Sequence, residues 1–300
     1  MDILDCLVVG AGPAGLTAAV YLGRYRRRVA VVDAGRSRAA LIPVSHNLAP
    51  FPEGIRGPDL LRRMHEAASR YGAPAVPGQV IALARAPEGF RAGLADGAER
   101  LARSVLLATG VVDVEPALPG LADAIRDGYV RHCPICDGWE IRGGRIGVIG
   151  FGAGGMGEAL FLRTWSEDVT LLTLGHPMDL AEAERARLEA CGIRVVDTAI
   201  SSLSLRDGRI EALCAAGGLE LRFDTIYSAL GTRVRSELAV GLGAGVDATG
   251  GIITDGHQRT TIDGVWAAGD VVSGLDQVAV AIGQAAIAAT DIHRFLGIPG

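Results

Sequence analysis

Two glycine-rich turns constrain the fold of this chain most strongly. Each turn separates an apolar, strand-like run from a segment in which apolar residues recur at helical spacing. The glycines are Gly10, Gly12 and Gly15 in the first turn and Gly150, Gly152 and Gly155 in the second. Glycines at this spacing let the backbone approach a pyrophosphate at the N-terminus of the following helix. The repeat therefore predicts an α/β fold with two Rossmann-like, three-layer dinucleotide-binding domains.

Acidic residues follow two of the predicted strands. The apolar run of residues 29–32 ends in Asp33, which lies 23 residues after Gly10. Near the C-terminus, the run of residues 265–268 is followed by Gly269 and Asp270. In dinucleotide-binding folds an acid at the carboxyl end of a strand accepts hydrogen bonds from ribose hydroxyls. Asp33 and Asp270 are therefore predicted to bind sugar hydroxyls.

A Cys-x-x-Cys pair, Cys133 and Cys136, lies just before the second turn and is followed at once by Asp137. Two thiols at this spacing can close into a disulfide, and the neighbouring acid can carry the proton that thiol chemistry moves. The chain has five cysteines, and an odd number argues against a framework of structural disulfides. Zinc would need four ligands, and only His132 stands nearby as a third, so no metal is predicted. The prediction is a redox dithiol, with an inert buried pair as the alternative.

The charge and composition exclude several other classes of function. All 29 basic residues are Arg, so chemistry that requires a lysine, such as a Schiff base or a Walker A motif, is excluded. The net charge of −5 argues against nucleic acid or an anionic membrane as the main partner. No apolar run is long enough to span a bilayer, and no basic region precedes the first turn as in a signal peptide. A cytoplasmic location is therefore expected.

In combination these motifs resemble those of the low-molecular-weight thioredoxin reductases, a family of two-domain flavoproteins, over nearly the whole chain. The motifs occur in the family's order: Gly10-x-Gly12-x-x-Gly15, Ala108-Thr109-Gly110, Cys133-x-x-Cys136-Asp137-Gly138 and Ala268-Gly269-Asp270. The resemblance implies a discontinuous FAD-binding domain formed by residues 1–115 and 235–300. It also implies an inserted NAD(P)H-type domain, residues 116–234, which carries the dithiol. Members of the family are commonly homodimers, and a homodimer is expected here.

The resemblance also implies roles for individual residues. Gly10, Gly12, Gly15 and Asp33 would hold the ADP half of FAD, with Thr109 and Gly269 in the matching motifs. Asn47 would lie near the flavin, Asp270 would face the ribityl and phosphate groups, and Gln277 and Val278 would lie at the pyrimidine edge of the ring. Cys136 would be the sulfur that attacks the flavin, Cys133 would exchange with substrate, and Asp137 would be the acid or base.

The sequence departs from the family where the electron donor would bind. Family members that use NADPH usually carry arginines after the second strand of the inserted domain, where they bind the 2′-phosphate. The corresponding residues 173–179 contain no Arg, and the strand does not end in the acid that NADH recognition would favour. Where the family has an Arg-Gln pair near the flavin, this chain has Asp276-Gln277. NADPH and NADH both remain open as donors, and Gly150, Gly152 and Gly155 are either a second nucleotide site or a retained element of the fold.

The predicted function is FAD-dependent exchange of two electrons between the Cys133/Cys136 pair and an external thiol or disulfide. The partner would be a thioredoxin-like protein or a small dithiol or disulfide. Two other classes of enzyme are consistent with the absence of these arginines. One is a flavin dithiol oxidase that uses oxygen, as in the formation of natural-product disulfides, and the other is a reductase that receives electrons from ferredoxin. A flavin redox sensor is the alternative that is not an enzyme.

Overall fold

The first strand and the first helix follow directly from the local sequence. The strand Leu4–Val9 is apolar almost throughout and buried, as expected for a central strand covered on both faces. The helix Pro13–Arg24 begins with proline at its first turn, where no backbone N–H is needed, and buries seven of its residues. These elements belong to a computed structural model that describes residues 2–206, 208–214 and 220–298.

The described residues form mixed α/β sheets with flanking helices. The strands are β1 Leu4–Val9, β2 Val29–Asp33, β3 Ala75–Pro77, β4 Val80–Ala86, β5 Gly89–Leu94, β6 Glu99–Leu107, β7 Val111–Asp113, β8 Val130–Arg131, β9 Ile146–Ile149, β10 Val169–Leu172, β11 Arg194–Val196, β12 Ile200–Arg206, β13 Arg209–Cys214, β14 Glu220–Phe223, β15 Thr225–Ser228, β16 Thr232–Val234 and β17 Val265–Ala267. The helices are α1 Pro13–Arg24, α2 Gly57–Arg70, α3 Leu121–Arg126, α4 Pro134–Asp137, α5 Gly152–Leu162, α6 Glu182–Ala190, α7 Glu237–Gly241 and α8 Val278–Phe295, with a 3-10 helix at Arg38–Leu41.

The chain divides into two compact units. The first comprises Met1–Ile42, Ile55–Val112 and Arg233–Gly300, and the second comprises Pro43–Gly54 and Asp113–Thr232. The main segment of the second unit is thus inserted between segments of the first. Pro43–Gly54 groups with the second unit, whereas the sequence-based division assigned it to the first.

The first unit is built on a seven-stranded sheet with the order β3-β2-β1-β6-β5-β4, in which β17 also pairs with β6. Strands β1, β2, β6 and β17 run parallel, and β4 and β5 form an antiparallel hairpin at one edge. Buried alanines of α8 pack with α1 and residues of the central strands in one core. The carboxyl ends of β1 and β17 therefore lie at the same edge of the sheet, where a doubly wound fold binds its ligand.

The second unit has a five-stranded parallel sheet with the order β11-β10-β9-β15-β8, and a separate antiparallel sheet β12-β13-β14. The strands β9, β10 and β15 are buried at every position, as expected for a parallel sheet covered on both faces. Strand β8 pairs with β15 at the edge, with Arg131 opposite Tyr227. The dithiol segment follows β8 directly, so this edge strand sets its position.

Candidate functional site

The Cys-x-x-Cys pair forms a closed disulfide in the second unit. Cys133 and Cys136 are bonded to each other with their Cα atoms 5.4 Å apart. Cys133 immediately precedes α4, Pro134 occupies the first turn, and the Cys136 amide donates to the Cys133 carbonyl at 3.0 Å. Both cysteines are partly exposed, and Ile135 between them is exposed. An external thiol can therefore approach the disulfide at this one-turn helix.

Asp137, the acid predicted beside the dithiol, is buried and held through both oxygens. The Tyr227 hydroxyl donates to Oδ1 at 2.6 Å, and the Arg131 guanidinium lies 3.1 Å from Oδ2. Burial raises the pKa of Asp137 above its ordinary value, while the charge of Arg131 and the hydrogen bond from Tyr227 act in the opposite direction. Asp137 can therefore hold a proton at a higher pH than an exposed aspartate.

Arg131 and Tyr227 are the two residues of this site that the sequence analysis did not identify. Arg131 lies two positions before the first cysteine, and Tyr227 lies almost a hundred residues later in a buried strand. The available sequence signal was weak: a buried Tyr hydroxyl needs a hydrogen-bond partner, so a Tyr within an apolar strand points to a polar group nearby. The pairing of β8 with β15, which brings them together, is not visible in the local sequence.

Other polar residues of the second unit surround the dithiol segment. The His132 ring and the Glu115 carboxyl group are in close contact. The Asn47 side chain donates to the carbonyl of Ile135 at 3.3 Å. Asn47 was expected near the flavin, and within its own unit it lies against the turn that carries the disulfide.

The first glycine turn joins β1 to α1, and two of its glycines are required by packing. A Cβ at Gly15 would lie 1.8 Å from the Gly10 carbonyl oxygen, and Gly10 itself has φ +103°. At Gly12 a Cβ would meet only the Ser37 hydroxyl, at 3.3 Å, so a side chain there would require that hydroxyl to shift slightly. The start of α1 has no side-chain cap and no acid in its first turn. Its free backbone N–H groups are thus available to an anion.

Asp33 ends β2 beside this turn. Its Oδ1 accepts the Ala11 amide and its Oδ2 accepts the Gly35 amide, both at 2.9 Å. Asp33 therefore fixes the glycine turn as well as offering oxygens to a ligand. Because a carboxylate has about four acceptor positions, these two bonds leave capacity for ribose hydroxyls.

The remaining predicted binding residues of the first unit lie near the ends of β6, β17 and α8. The Thr109 hydroxyl donates to the Arg235 carbonyl at 2.7 Å, and the Gly269 amide donates to Gln284 at 2.8 Å. Asp270 lies 3.5 Å from Arg38, which is also 4.0 Å from Asp276. Gln277 immediately precedes α8, and Val278 is the first residue of this helix.

The second glycine turn joins β9 to α5. A Cβ at Gly155 would lie 2.5 Å from the backbone carbon of Gly150, so these glycines are required for the strand and helix to pack. Gly152 has φ +58° and is the first residue of α5, which lacks a side-chain cap. Packing alone thus explains two of the three glycines, and the turn does not by itself establish a nucleotide site.

A cavity of about 370 Å³ lies next to this turn, and its lining is largely apolar. The lining residues are Val114, Pro116, Ala117, Leu118, Phe151, Leu174, His176, Ile200 and Leu230. Within this lining, His176 is the residue that can carry a positive charge, and its ring packs 4.5 Å from that of Phe151. At the carboxyl ends of β10 and β15, the two strands that flank β9, the buried hydroxyls of Thr173 and Ser228 have no hydrogen-bond partner among the described residues.

Neither of the other cysteines whose side chains are described joins the dithiol. Cys6 is buried in the first unit, where burial raises its thiol pKa to about 12, and Cys191 is partly exposed at the end of α6. Across residues 2–206, 208–214 and 220–298 no cluster of side chains has the composition of a metal site. No helix in this part of the chain is long and apolar enough to cross a membrane.

A disulfide next to a buried acid, in a chain with two dinucleotide-type units, defines the class of flavin- and nucleotide-linked disulfide oxidoreductases. Residues 4–285 match the family model described as pyridine nucleotide-disulphide oxidoreductase. The chain belongs to this family.

Relatives with known names agree over nearly the full length. The thioredoxin reductase of Mycolicibacterium smegmatis is 32% identical, with 97% of this chain and 96% of the relative covered. The crystal structure of HlmI is 32% identical with a TM-score of 0.89, covering 97% of this chain and 92% of that one. The thioredoxin reductase structure from Streptococcus pyogenes is 26% identical with a TM-score of 0.89, covering 98% of both chains. The chain is an FAD-dependent disulfide oxidoreductase, so the enzyme prediction is confirmed over the non-catalytic sensor.

The first unit fits the ADP half of FAD. The uncapped N-terminus of α1 suits a pyrophosphate, the absence of a side chain at Gly12 lets it approach the backbone, and Asp33 has acceptor capacity for a ribose. We therefore assign Gly10, Gly12, Gly15 and Asp33 to this group as a proposal, together with Thr109, Gly269, Asp270, Gln277 and Val278.

Substitution Gly12→Val tests this assignment. Gly12 has φ −76°, a conformation open to any residue, and a Cβ there would only require the Ser37 hydroxyl to shift slightly, so the variant is expected to fold. Its side chain would fill the approach to the α1 N-terminus and lower the FAD affinity at least about tenfold. The measurement is FAD per chain from the visible spectrum, with circular dichroism to check folding. The control is Gly157→Ala on α5, where a Cβ would have no atom within 4 Å. Full FAD content in Gly12→Val would reject the assignment.

Proposed function

We propose that the enzyme exchanges two electrons between its Cys133/Cys136 pair and an external thiol or disulfide. The observation that carries the proposal is the partly exposed disulfide beside a buried, doubly held Asp137. The proposed partner is a thioredoxin-like protein, as for the thioredoxin reductases that the chain resembles, or a small dithiol or disulfide. FAD, when bound, supplies the two-electron oxidation and reduction of the pair.

The exchange runs through a mixed disulfide. An external thiolate attacks Sγ of Cys133, the Cys133–Cys136 bond breaks, and Cys136 leaves as a thiolate that takes a proton from Asp137. The second thiolate of the external pair then attacks the external sulfur of the mixed disulfide and releases Cys133. The external pair becomes a disulfide and has lost two electrons, which the enzyme pair has gained. The reverse sequence reduces an external disulfide.

The domain roles are part of the proposal. Residues 1–115 and 235–300 would form the FAD-binding domain, and residues 116–234 the inserted domain that carries the dithiol. The segment Pro43–Gly54, which includes Asn47, would then support the dithiol rather than the first sheet, because it groups with the second unit. On the resemblance to the family we also propose a homodimer located in the cytoplasm.

The proposed electron donor is NADPH, NADH, ferredoxin or the substrate thiol itself. The apolar cavity beside the second glycine turn supports a second candidate, a dithiol oxidase that passes electrons to oxygen. Its lining supplies no arginine for a 2′-phosphate. The buried hydroxyls of Thr173 and Ser228 support a polar ligand at this sheet edge, so the reductase is proposed alongside the oxidase.

An anaerobic titration of the flavin absorbance separates these candidates. With NADPH, NADH and dithiothreitol added in turn, we expect bleaching by dithiothreitol and at least about tenfold slower bleaching by either nicotinamide. The arginines that would bind the 2′-phosphate of NADPH and the acid that would bind the free ribose of NADH are both missing. Stoichiometric hydrogen peroxide on admission of air would favour the oxidase. Rapid bleaching by NADPH would instead establish a working nicotinamide site and the reductase direction.

A further inference from the structure

Two residues hold Asp137, the buried acid beside the dithiol. Their contribution to disulfide exchange can be measured separately from that of Asp137. The Tyr227 hydroxyl and the Arg131 guanidinium each contact a different oxygen of Asp137, at 2.6 Å and 3.1 Å. A carboxyl group with both oxygens fixed cannot rotate freely, so the direction in which it presents a proton is set by these two contacts.

The two contacting residues are themselves rigid. Arg131 and Tyr227 are register partners on the paired strands β8 and β15. The Tyr227 side chain is fully buried in the core beneath the sheet, and Arg131 also donates through Nε to the Gly128 carbonyl at 3.0 Å. On the other side, a Cβ at Gly138 would lie 2.7 Å from the Trp165 ring, so the end of α4 is closely packed. The carboxyl group is therefore clamped between two fixed surfaces.

We propose that Arg131 and Tyr227 are positioning residues, which orient the Asp137 carboxyl group to give its proton to the departing Cys136 sulfur and to take it back in the reverse step. This inference rests on the proposed exchange function and deepens it. Arg131 and Tyr227 touch neither sulfur nor substrate in this argument, and act through Asp137.

The electrostatic surroundings give the sign of the effect. Asp137 is faced by Arg131 from β8, Tyr227 from β15 and Glu140 from the following turn. Arg131 and Tyr227 favour the carboxylate, whereas burial and Glu140 favour the protonated acid. Removing either Arg131 or the Tyr227 hydroxyl should therefore raise the pKa of Asp137 further while loosening its orientation.

The test measures reduction of the Cys133–Cys136 disulfide by dithiothreitol in the FAD-loaded enzyme, followed by alkylation of the freed thiols and mass spectrometry. Dividing the rate constant by the fraction of dithiothreitol present as thiolate removes the titration of the reagent. The pH dependence that remains belongs to the enzyme, and the quantity followed is this corrected rate constant. It should fall as pH rises through the pKa of Asp137, because the protonated acid is used. Tyr227→Phe and Arg131→Gln should each lower the corrected rate constant about tenfold. They should also shift its fall with pH to higher pH by at least about half a unit.

Matched controls and a reference variant make the outcome specific. Tyr129→Phe removes a phenol hydroxyl from the other core of the same unit, and Arg126→Gln removes an exposed guanidinium, so both should behave as wild type. Asp137→Asn should abolish this fall of the rate constant with pH. If Asp137→Asn is slow but Tyr227→Phe and Arg131→Gln keep the wild-type pH profile, the positioning role is overturned, even where the rate has fallen. If wild type and Asp137→Asn react alike, the proposed acid role fails instead.

Discussion

Substitution Cys136→Ser is expected to lower disulfide turnover at least about a thousandfold while FAD content stays at the wild-type level. Serine cannot form the disulfide, so the enzyme has no pair to alternate between oxidised and reduced states. Apart from Asn47, the predicted FAD-binding residues lie in the first unit and Cys136 lies in the second, so flavin binding should not depend on this sulfur. The rate at which dithiothreitol bleaches the flavin under anaerobic conditions and the FAD content per chain measure the two effects separately.

The same variant distinguishes the inner sulfur from the outer one. Without Cys136, Cys133 should form a mixed disulfide when a small aromatic disulfide is added. This adduct should persist, because no second thiol resolves it. In Cys133→Ser the remaining Cys136 should form this adduct more slowly if it is the inner sulfur. Mass spectrometry of the adducts gives the answer, and Cys191→Ser, which removes a cysteine outside the dithiol, is the control. Unchanged turnover in Cys136→Ser would remove the dithiol from the reaction.

The sequence predicted those parts of the molecule that depend on local spacing. Both glycine turns lie between a strand and a helix, as their motifs indicated, because Gly15 and Gly155 are required wherever the helix packs against its strand. Asp33 lies beside the first turn, and Cys133 and Cys136 close a disulfide across a single helical turn. Each of these features is set by residues within about 25 positions of one another.

The features that the sequence did not predict depend on pairing between distant strands. Tyr227 meets Asp137 across 90 residues, because β15 pairs with β8, the strand that carries Arg131. The grouping of Pro43–Gly54 with the second unit has a similar origin, since Asn47 contacts Ile135 from 88 residues away. Residue type alone could not reveal which buried tyrosine or which arginine would face the acid.

Substitution Asp137→Asn is expected to lower the rate of disulfide exchange by about 100- to 1,000-fold at neutral pH, with FAD content unchanged. Asparagine keeps the shape of the side chain and can still accept the Tyr227 hydroxyl, but it cannot give a proton to a departing sulfur. The matched control is Asp123→Asn, an exposed acid of the same unit that pairs with Arg126. A rate within about twofold of wild type would show that solvent supplies the proton.

The pH dependence of stability offers a second measurement on the same variant. Burial raises the pKa of Asp137 in the folded chain above its unfolded value. The stabilisation linked to this group is therefore fully present below the unfolded pKa, about 3.9, and is lost as pH rises through the folded pKa. The wild type should lose this contribution between those two pKa values, whereas Asp137→Asn should not. A difference between their unfolding midpoints that stays constant across this range would contradict a buried acid with a raised pKa. A difference that changes with pH would link the rate effect to the same titrating carboxyl group.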